Sequence, residues 1–403
     1  MNAVGIDVSK GKSMVAVIRP FGEIVVSPFE VIHNQGELGE LAKRLKALDG
    51  ETKVIMECTG SYHLPIAYHL QESGLTVCTI HAKLIHAFGN NTIRKVKTDK
   101  ADSVKIANYG LAHWLELPEY VPEEDIRHML KAYSRQYNKY IKIKSSLKNN
   151  LISLLDQTFP DANNLFSSPV REDGHEKWID FIAKFWHCQC VCLLSLKEFS
   201  ERYAKWCKRH GYYFKQSKAR DIYWESAGHI GIMPKNDVTK FLITQAVVQI
   251  NSICENLATI KREMISLAKS LPEFPVVLAF RGVGEQLASQ LIAEIGDIYR
   301  FKDKHSLVAF AGLDAPPFQS GKFESANRSI SKKGSPHLRK SLFLVMDYLL
   351  KKSPADDPVY QFLDRKRIEG KHYYCYMTAG SAKFLRIYYA RVKEFLDKFY
   401  SES

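Results

Sequence analysis

The chain has 403 residues and carries 57 Lys and Arg against 44 Asp and Glu, a formal net charge of +13 with a pI near 9.2. A hydrophobic fraction of 45% beside 25% charged residues excludes a disordered chain and leaves room for two or three domains, each with its own core. No apolar run approaches the roughly 18 residues of a spanning helix, so no membrane partner is expected, and the positive balance points to a nucleic acid. The opening MNAVGIDVSK reads as neither a signal peptide nor a transit sequence, and a cytoplasmic location is the expectation.

Residues 3–18, AVGIDVSKGKSMVAVI, read as a strand turning through Gly11 into a second strand, and EIVVSPFEVI supplies a third. The connections are too short for crossovers, which predicts an antiparallel meander. NQGELGELAKRLKAL places Leu38, Leu41, Leu45 and Leu48 on one helical face. KVIMECT then reads as a buried strand, YHLPIAYHLQESG as a helix ending at glycine, and LTVCTI as another strand. Three strands followed by αβαβ and one more helix is the pattern of a ribonuclease H-type α/β domain, expected over residues 1–118. Strand order does not follow from this pattern.

From about residue 125 the period changes. Leu130, Tyr133, Tyr137, Tyr140, Lys144, Leu147, Leu151 and Leu154 recur three and four apart. So do Ile243, Val247, Ile250, Cys254 and Leu257, then Ile260, Met264, Leu267 and Leu271. Two long helices are expected within a helical connection spanning 119–271, packed either in a compact bundle or as a protruding coiled coil. Residues 161–236 between them, rich in Trp, Cys and Lys, read as an insertion. Its HCQCVC cluster lacks the second ligand pair usual for zinc, so Cys188, Cys190 and Cys192 are expected as buried thiols.

Pro272 and Pro275 break the second helix and open a mainly helical module over 272–403. VVLAFRGVGEQLASQLIAEIG has the composition of a helix–hairpin–helix, in which Gly282 and Gly284 would let a phosphate approach; a plain αα-turn reads the same way. The tail GKHYYCYMTAGSAKFLRIYYARVKEF sets Lys371, Lys383, Arg386 and Arg391 among tyrosines. That composition suits stacking on unpaired bases, and equally a helix with a tyrosine core face.

Four acids stand out. Asp7 lies among apolar strand residues, and Glu57 ends a strand that otherwise reads as core, positions costly for a carboxylate that is neither paired nor metal-bound. Asp99 and Asp102, three apart in RKVKTDKADSVKIANYG, share a helix face amid Arg94, Lys95, Lys97, Lys100 and Lys105. Converging, the four could hold two Mg²⁺ ions, which take hard oxygen ligands, with Mn²⁺ as a substitute. Taken singly, Asp7 could start a turn, Asp99 could be an N-cap and Asp102 a first-turn acid. A second basic cluster comprises Lys322, Arg328, Lys332, Lys333, Arg339 and Lys340.

The order GIDVSK, MECTG, KTDKADS resembles the DEDD-type insertion-sequence transposases of the IS-one-ten family, which are RuvC-like, bridge-RNA-guided recombinases. GVGEQLASQLIAEIGDIYRF and LVAFAGLDAPPFQSGKFESANRSISKKGSPHLRKSLF resemble that family's transposase domain. The resemblance covers roughly residues 1–115 and 275–395, and the 161–236 segment departs from it in length. It implies that Asp7, Glu57, Asp99 and Asp102 are a metal-binding tetrad and that Ser320, in PPFQSGK, is a nucleophile toward DNA. It further implies donor and target DNA, a structured guide RNA, and a dimer or tetramer as partners. From the residues alone Ser320 reads as a turn serine, with Ser325, Ser329, Ser331 and Ser335 as competitors. The expectation is a transposase or site-specific recombinase. A RuvC-like structure-specific nuclease and a non-catalytic nucleic-acid-binding protein are the alternatives.

Overall fold

The structure, a computed structural model, describes residues 1–58, 60–88, 98–316, 319–320, 323–324 and 329–402, with backbone alone at 319–320 and 323–324. The chain divides into two compact units, residues 1–123 and 124–403.

In the first unit β1 (Asn2–Ser9), β2 (Lys12–Arg19) and β3 (Glu23–Ile32) form the antiparallel meander, with Gly11 at φ +78° in its first turn. The strands β4 (Thr52–Cys58) and β5 (Thr76–His81) add in parallel on the other side of β1, giving the order β3-β2-β1-β4-β5. Among the described residues four helices cover this sheet: α1 (Gln35–Lys46), α2 (Leu64–Glu72), α3 (Ala82–Phe88) and α4 (Asp99–Ala112). On one face Val4, Ile6, Val54 and Met56 pack with Leu38, Leu41 and Leu45 of α1 and Ile66 and Leu70 of α2. On the other, Ala3, Ile55 and Ile80 meet Ile85 of α3 and Ile106 and Ala107 of α4. Burial of each large aliphatic side chain contributes about 1.5–3 kcal/mol, so β1, apolar on both faces, is held centrally. This is the ribonuclease H-type α/β pattern expected. Helix α3 was not anticipated, because seven residues are too few to display a period.

In the second unit α5 (Asp125–Leu155) and α10 (Asp237–Lys269) pack antiparallel. Leu130 shares a core with Met264 and Ala268, whereas Leu151 and Leu155 share another with Ile243, Val247 and Ile250. Helical modules enclose both ends of the pair. Residues 161–236 contribute α6 (Lys177–Lys184), α7 (Gln189–Cys192), α8 (Leu196–Arg209) and α9 (Gln216–Gly228), built around Phe181, Phe199, Tyr203 and Trp206. The C-terminal part comprises α11 (Phe274–Leu278), α12 (Glu285–Ile295), α13 (Lys304–Phe310), α14 (Pro336–Lys352), α15 (Pro358–Ile368) and α16 (Tyr373–Ser401). Two short strands, β6 (Gln319–Ser320) and β7 (Phe323–Glu324), pair between α13 and α14. Among the described residues no helix is long and apolar enough to cross a membrane.

Three local readings change. The buried row of α5 runs Arg127, Leu130, Ser134, Asn138, Leu151, Leu155, leaving Tyr133, Tyr137 and Tyr140 half-buried. Polar partners set that phase: Arg127 pairs with the buried Glu273, and Asn138 accepts a bond from Lys340. Gly282 serves packing, since a Cβ there would stand 2.9 Å from Tyr348 Cδ1 on α14. In the tail, Tyr388 is core, Lys383 lies over Phe362 and Arg391 over Phe280, so these cations are engaged with the protein's own rings.

The HCQCVC segment is structural. Gln189 N–H donates to His187 Nδ1 (3.1 Å), and His187 Nε2 donates to the Met233 carbonyl (3.1 Å). Both ring nitrogens are thereby used to tie α7 to the approach of α10. Cys188 is buried and Cys190 and Cys192 are half-buried; all three are free thiols.

Candidate active site

The site grows from strand register. Ile6 pairs with Met56, so Asp7 and Glu57 come next along two neighbouring parallel strands, which lie roughly 5 Å apart. Alternation turns Asp7 to the same face as Gly5, and Glu57 to the same face as Ile55. That face is covered by α4. A Cβ on Gly5 would fall 2.0 Å from the Ser103 carbonyl oxygen, and one on Gly110 would fall 2.6 Å from Ile55 Cδ1. The missing side chains let the helix lie directly on the strands.

The direction of α4 decides which end meets the acids. Lys53, near the start of β4, donates to the Trp114 carbonyl just beyond the helix (3.0 Å), and Trp114 Nε1 reaches Glu51 (3.3 Å). The helix therefore runs antiparallel to β1 and β4, with its first turn at their carboxyl ends. Thr98 is the N-cap, accepting from Ala101 N–H at 3.2 Å, and Asp99 and Asp102 occupy the first turn. Asp99 is thus a first-turn acid and not the cap. The charge of Asp99 also reaches Lys12, at the turn after β1: its ammonium is held above the ordinary lysine range by its bond to Glu30 (2.7 Å), then by the charges of Glu30 and Asp99. Lys12 and the Ser13–His33 hydrogen bond (2.7 Å) at this sheet end were not singled out from the sequence. The signal available was SKGK directly after GIDV.

The four carboxylates, carried at one sheet end, are of the hard-oxygen type that Mg²⁺ takes, so their donor chemistry suits a divalent cation. As they stand, no three His, Cys, Asp or Glu side chains among the described residues form a group able to hold a metal ion.

The other predicted residues are divided between the two units. Ser320 lies in β6, its backbone paired with Phe323. Arg94, Lys95, Lys97, Lys322, Arg328 and Ser325 lie outside the described residues. Lys100, Lys332 and Lys333 are exposed, Ser329 is exposed and Lys105 is half-buried. Ser331 N–H donates to the Asp314 carbonyl (2.8 Å), and Ser335 caps α14 through Leu338 N–H (3.2 Å). Arg339, expected at a nucleic acid, instead donates to the carbonyls of Ala311 (2.9 Å) and Gly334 (3.2 Å). It clamps a corner where Gly334 lies against Phe310. Gly284 caps α12, whose first residue, Glu285, is paired with Lys269 at 2.6 Å, so that helix start already holds an anion.

Strand order and helix placement make the first unit a ribonuclease H-type α/β domain, followed in the chain by a largely helical C-terminal region. Two family models match: one described as Transposase, of the DEDD IS110 type, over residues 4–160, and one described as Transposase IS116/IS110/IS902 family over 275–361. The chain belongs to the IS110 (IS-one-ten) family of transposases. It is 26% identical over 128 residues to the pilin gene-inverting proteins of Moraxella lacunata and Moraxella bovis. That match takes in 31% of this chain and 39% of each relative's length. Among solved structures it is similar to T. thermophilus RuvC in complex with a Holliday junction substrate, at 12% identity and a TM-score of 0.22, covering 30% of this chain and 99% of that one.

Proposed function

We propose that the protein is a DNA transposase that cuts and rejoins strands at specific sites. What supports the reading is that Asp7, Glu57 and the first turn of α4, with Asp99 and Asp102, share one end of the sheet within a matched transposase segment. Asp7, Glu57, Asp99 and Asp102 would hold divalent cations, Mg²⁺ or Mn²⁺, which when bound promote ionisation of an attacking hydroxyl and neutralise charge at the scissile phosphate. Ser320 is the proposed nucleophile. Its attack forms a phosphoserine bond and releases a 3′- or 5′-hydroxyl, keeping the bond energy for rejoining. Exposed Lys100, Lys332 and Lys333 suit backbone phosphates. The pilin gene-inverting relatives bear a name for DNA rearrangement, which agrees with recombination.

Guidance by a structured RNA and assembly as a dimer or tetramer belong to the same proposal and rest on family membership. The test is incubation of the full chain with labelled DNA, any co-purifying RNA and Mg²⁺, followed by denaturing electrophoresis and peptide mapping. A protein–DNA adduct at Ser320 supports the reading. Metal-dependent cleavage without an adduct in any fraction replaces it with a hydrolytic nuclease. Binding without cleavage under all metals leaves a nucleic-acid-binding protein.

A further inference from the structure

Two segments far apart in sequence meet where the middle of α5 crosses the start of α14. Lys340 Nζ donates to Asn138 Oδ1 at 2.8 Å, pinning the first turn of α14 to α5. Beside them Glu294 of α12 is buried, its side chain 1% exposed. It accepts from Ser335 Oγ at 2.7 Å and from Arg135 Nε at 3.3 Å. Arg135 is half exposed, so donors of its guanidinium remain available outward.

Several cations stand around this buried acid. Partial burial holds His337 below the ordinary histidine range, partly offset by Glu294 and then reinforced by Arg135, Lys142 and Lys340. Lys340 is held down by partial burial and by Lys142. Glu294 is already engaged by Ser335 and Arg135, so positive charge is in excess. The first-turn N–H groups of α14, a 17-residue helix, add positive potential at the same place.

We propose that Arg135 and Lys142 on α5, with His337 and Lys340 at the start of α14, form a binding site for the phosphodiester backbone of a nucleic acid. The site rests on reading the chain as a nucleic-acid enzyme and adds Arg135, Lys142 and His337 to the residues the sequence suggested. A polyanion offsets the excess positive charge, and a neutral His337 still donates a hydrogen bond.

The test is fluorescence anisotropy of the full chain with a labelled duplex DNA and a labelled stem–loop RNA across a range of KCl concentrations. Lys142→Ala/Lys340→Ala should weaken binding about tenfold and flatten the slope of log affinity against log salt by roughly 2, the share of two phosphates. Loss for duplex alone assigns the site to DNA, and loss for the stem–loop alone assigns it to RNA. Lys366→Ala/Lys393→Ala removes lysines already paired with Glu369 and Asp397, and should change neither quantity. If the double variant unfolds, the exposed Lys142 decides: Lys142→Glu should weaken binding more than Lys142→Ala at an unchanged melting temperature. Unaltered affinity and slope for both probes in the folded variants overturn the site. Asp99→Asn/Asp102→Asn should lose cleavage yet keep this binding, so failure here and failure of the catalytic reading are separable.

Discussion

Gly5 of β1 lies against the backbone of Ser103 on α4, so closely that a Cβ at position 5 would stand 2.0 Å from the Ser103 carbonyl oxygen. The contact seats the first turn of α4, with Asp99 and Asp102, at the end of the strand that carries Asp7. Gly5→Ala must push the helix off the sheet. Overpacking of this kind costs about 1–3 kcal/mol or more, and the tight backbone contact puts it at the upper end. A lowered melting temperature and loss of strand cleavage are expected together. An unchanged melting temperature would mean that α4 does not sit on β1 as described.

Asp99→Asn/Asp102→Asn should behave differently. Removing first-turn charge from α4 takes away a favourable interaction with the helix dipole, but it also relieves repulsion between the two acids of that turn. The expected outcome is a melting temperature within a few degrees of the parent, no cleavage in Mg²⁺ or Mn²⁺, and weaker divalent-cation binding by titration calorimetry. Cleavage at the parental rate would remove these residues from the proposed metal site.

Ser320→Ala should bind DNA as the parent does and form no covalent adduct and no recombinant product. Ser331→Ala, which loses a bond to Asp314, should keep adduct formation while lowering thermal stability slightly. Mapping of an adduct to Ser331 or Ser335 would move the nucleophile without removing the serine mechanism.

Arg127 and Glu273 form a buried ion pair that joins α5 to the start of the C-terminal module, with side chains 6% and 3% exposed. Arg127→Leu leaves Glu273 without its cation in a dry site, a loss of about 3–5 kcal/mol. Scanning calorimetry should show the transition of this unit shifted down by several degrees. Arg127→Leu/Glu273→Leu should recover part of the loss, because the unpaired charge is gone.

Burial holds His33 and His63 below the ordinary histidine range. In the unfolded chain both take up protons near pH ~6.5, while in the folded chain they resist until lower pH. The unfolded state therefore binds more protons as pH falls, and stability present above pH ~6.5 is lost below it. A lower melting temperature at pH ~5.5 than at ~7.5 is expected, with a smaller difference in His63→Gln. An equal acid shift in parent and variant would show that His63 contributes nothing to it.

Much of the fold was legible in the chain itself. Alternation at positions 3–18 and the helical period of Leu38, Leu41 and Leu45 report which faces are apolar, and local spacing settles that without reference to any partner. The acids at 7, 57, 99 and 102 were conspicuous for a related reason: a carboxylate beside core residues departs from its surroundings. Tertiary packing alone decided that α4 runs antiparallel to β1 and β4, because its direction rests on Gly5, Gly110 and the Lys53–Trp114 contact. It also set the phase of α5, where buried Ser134 and Asn138 carry no apolar signal and the tyrosines beside them do. Arg135, Glu294 and His337 meet across more than a hundred and fifty positions of sequence. Periodicity marks a face for burial, but long-range packing and charge pairing choose what that face meets, and so where the cations and carboxylates of this chain collect.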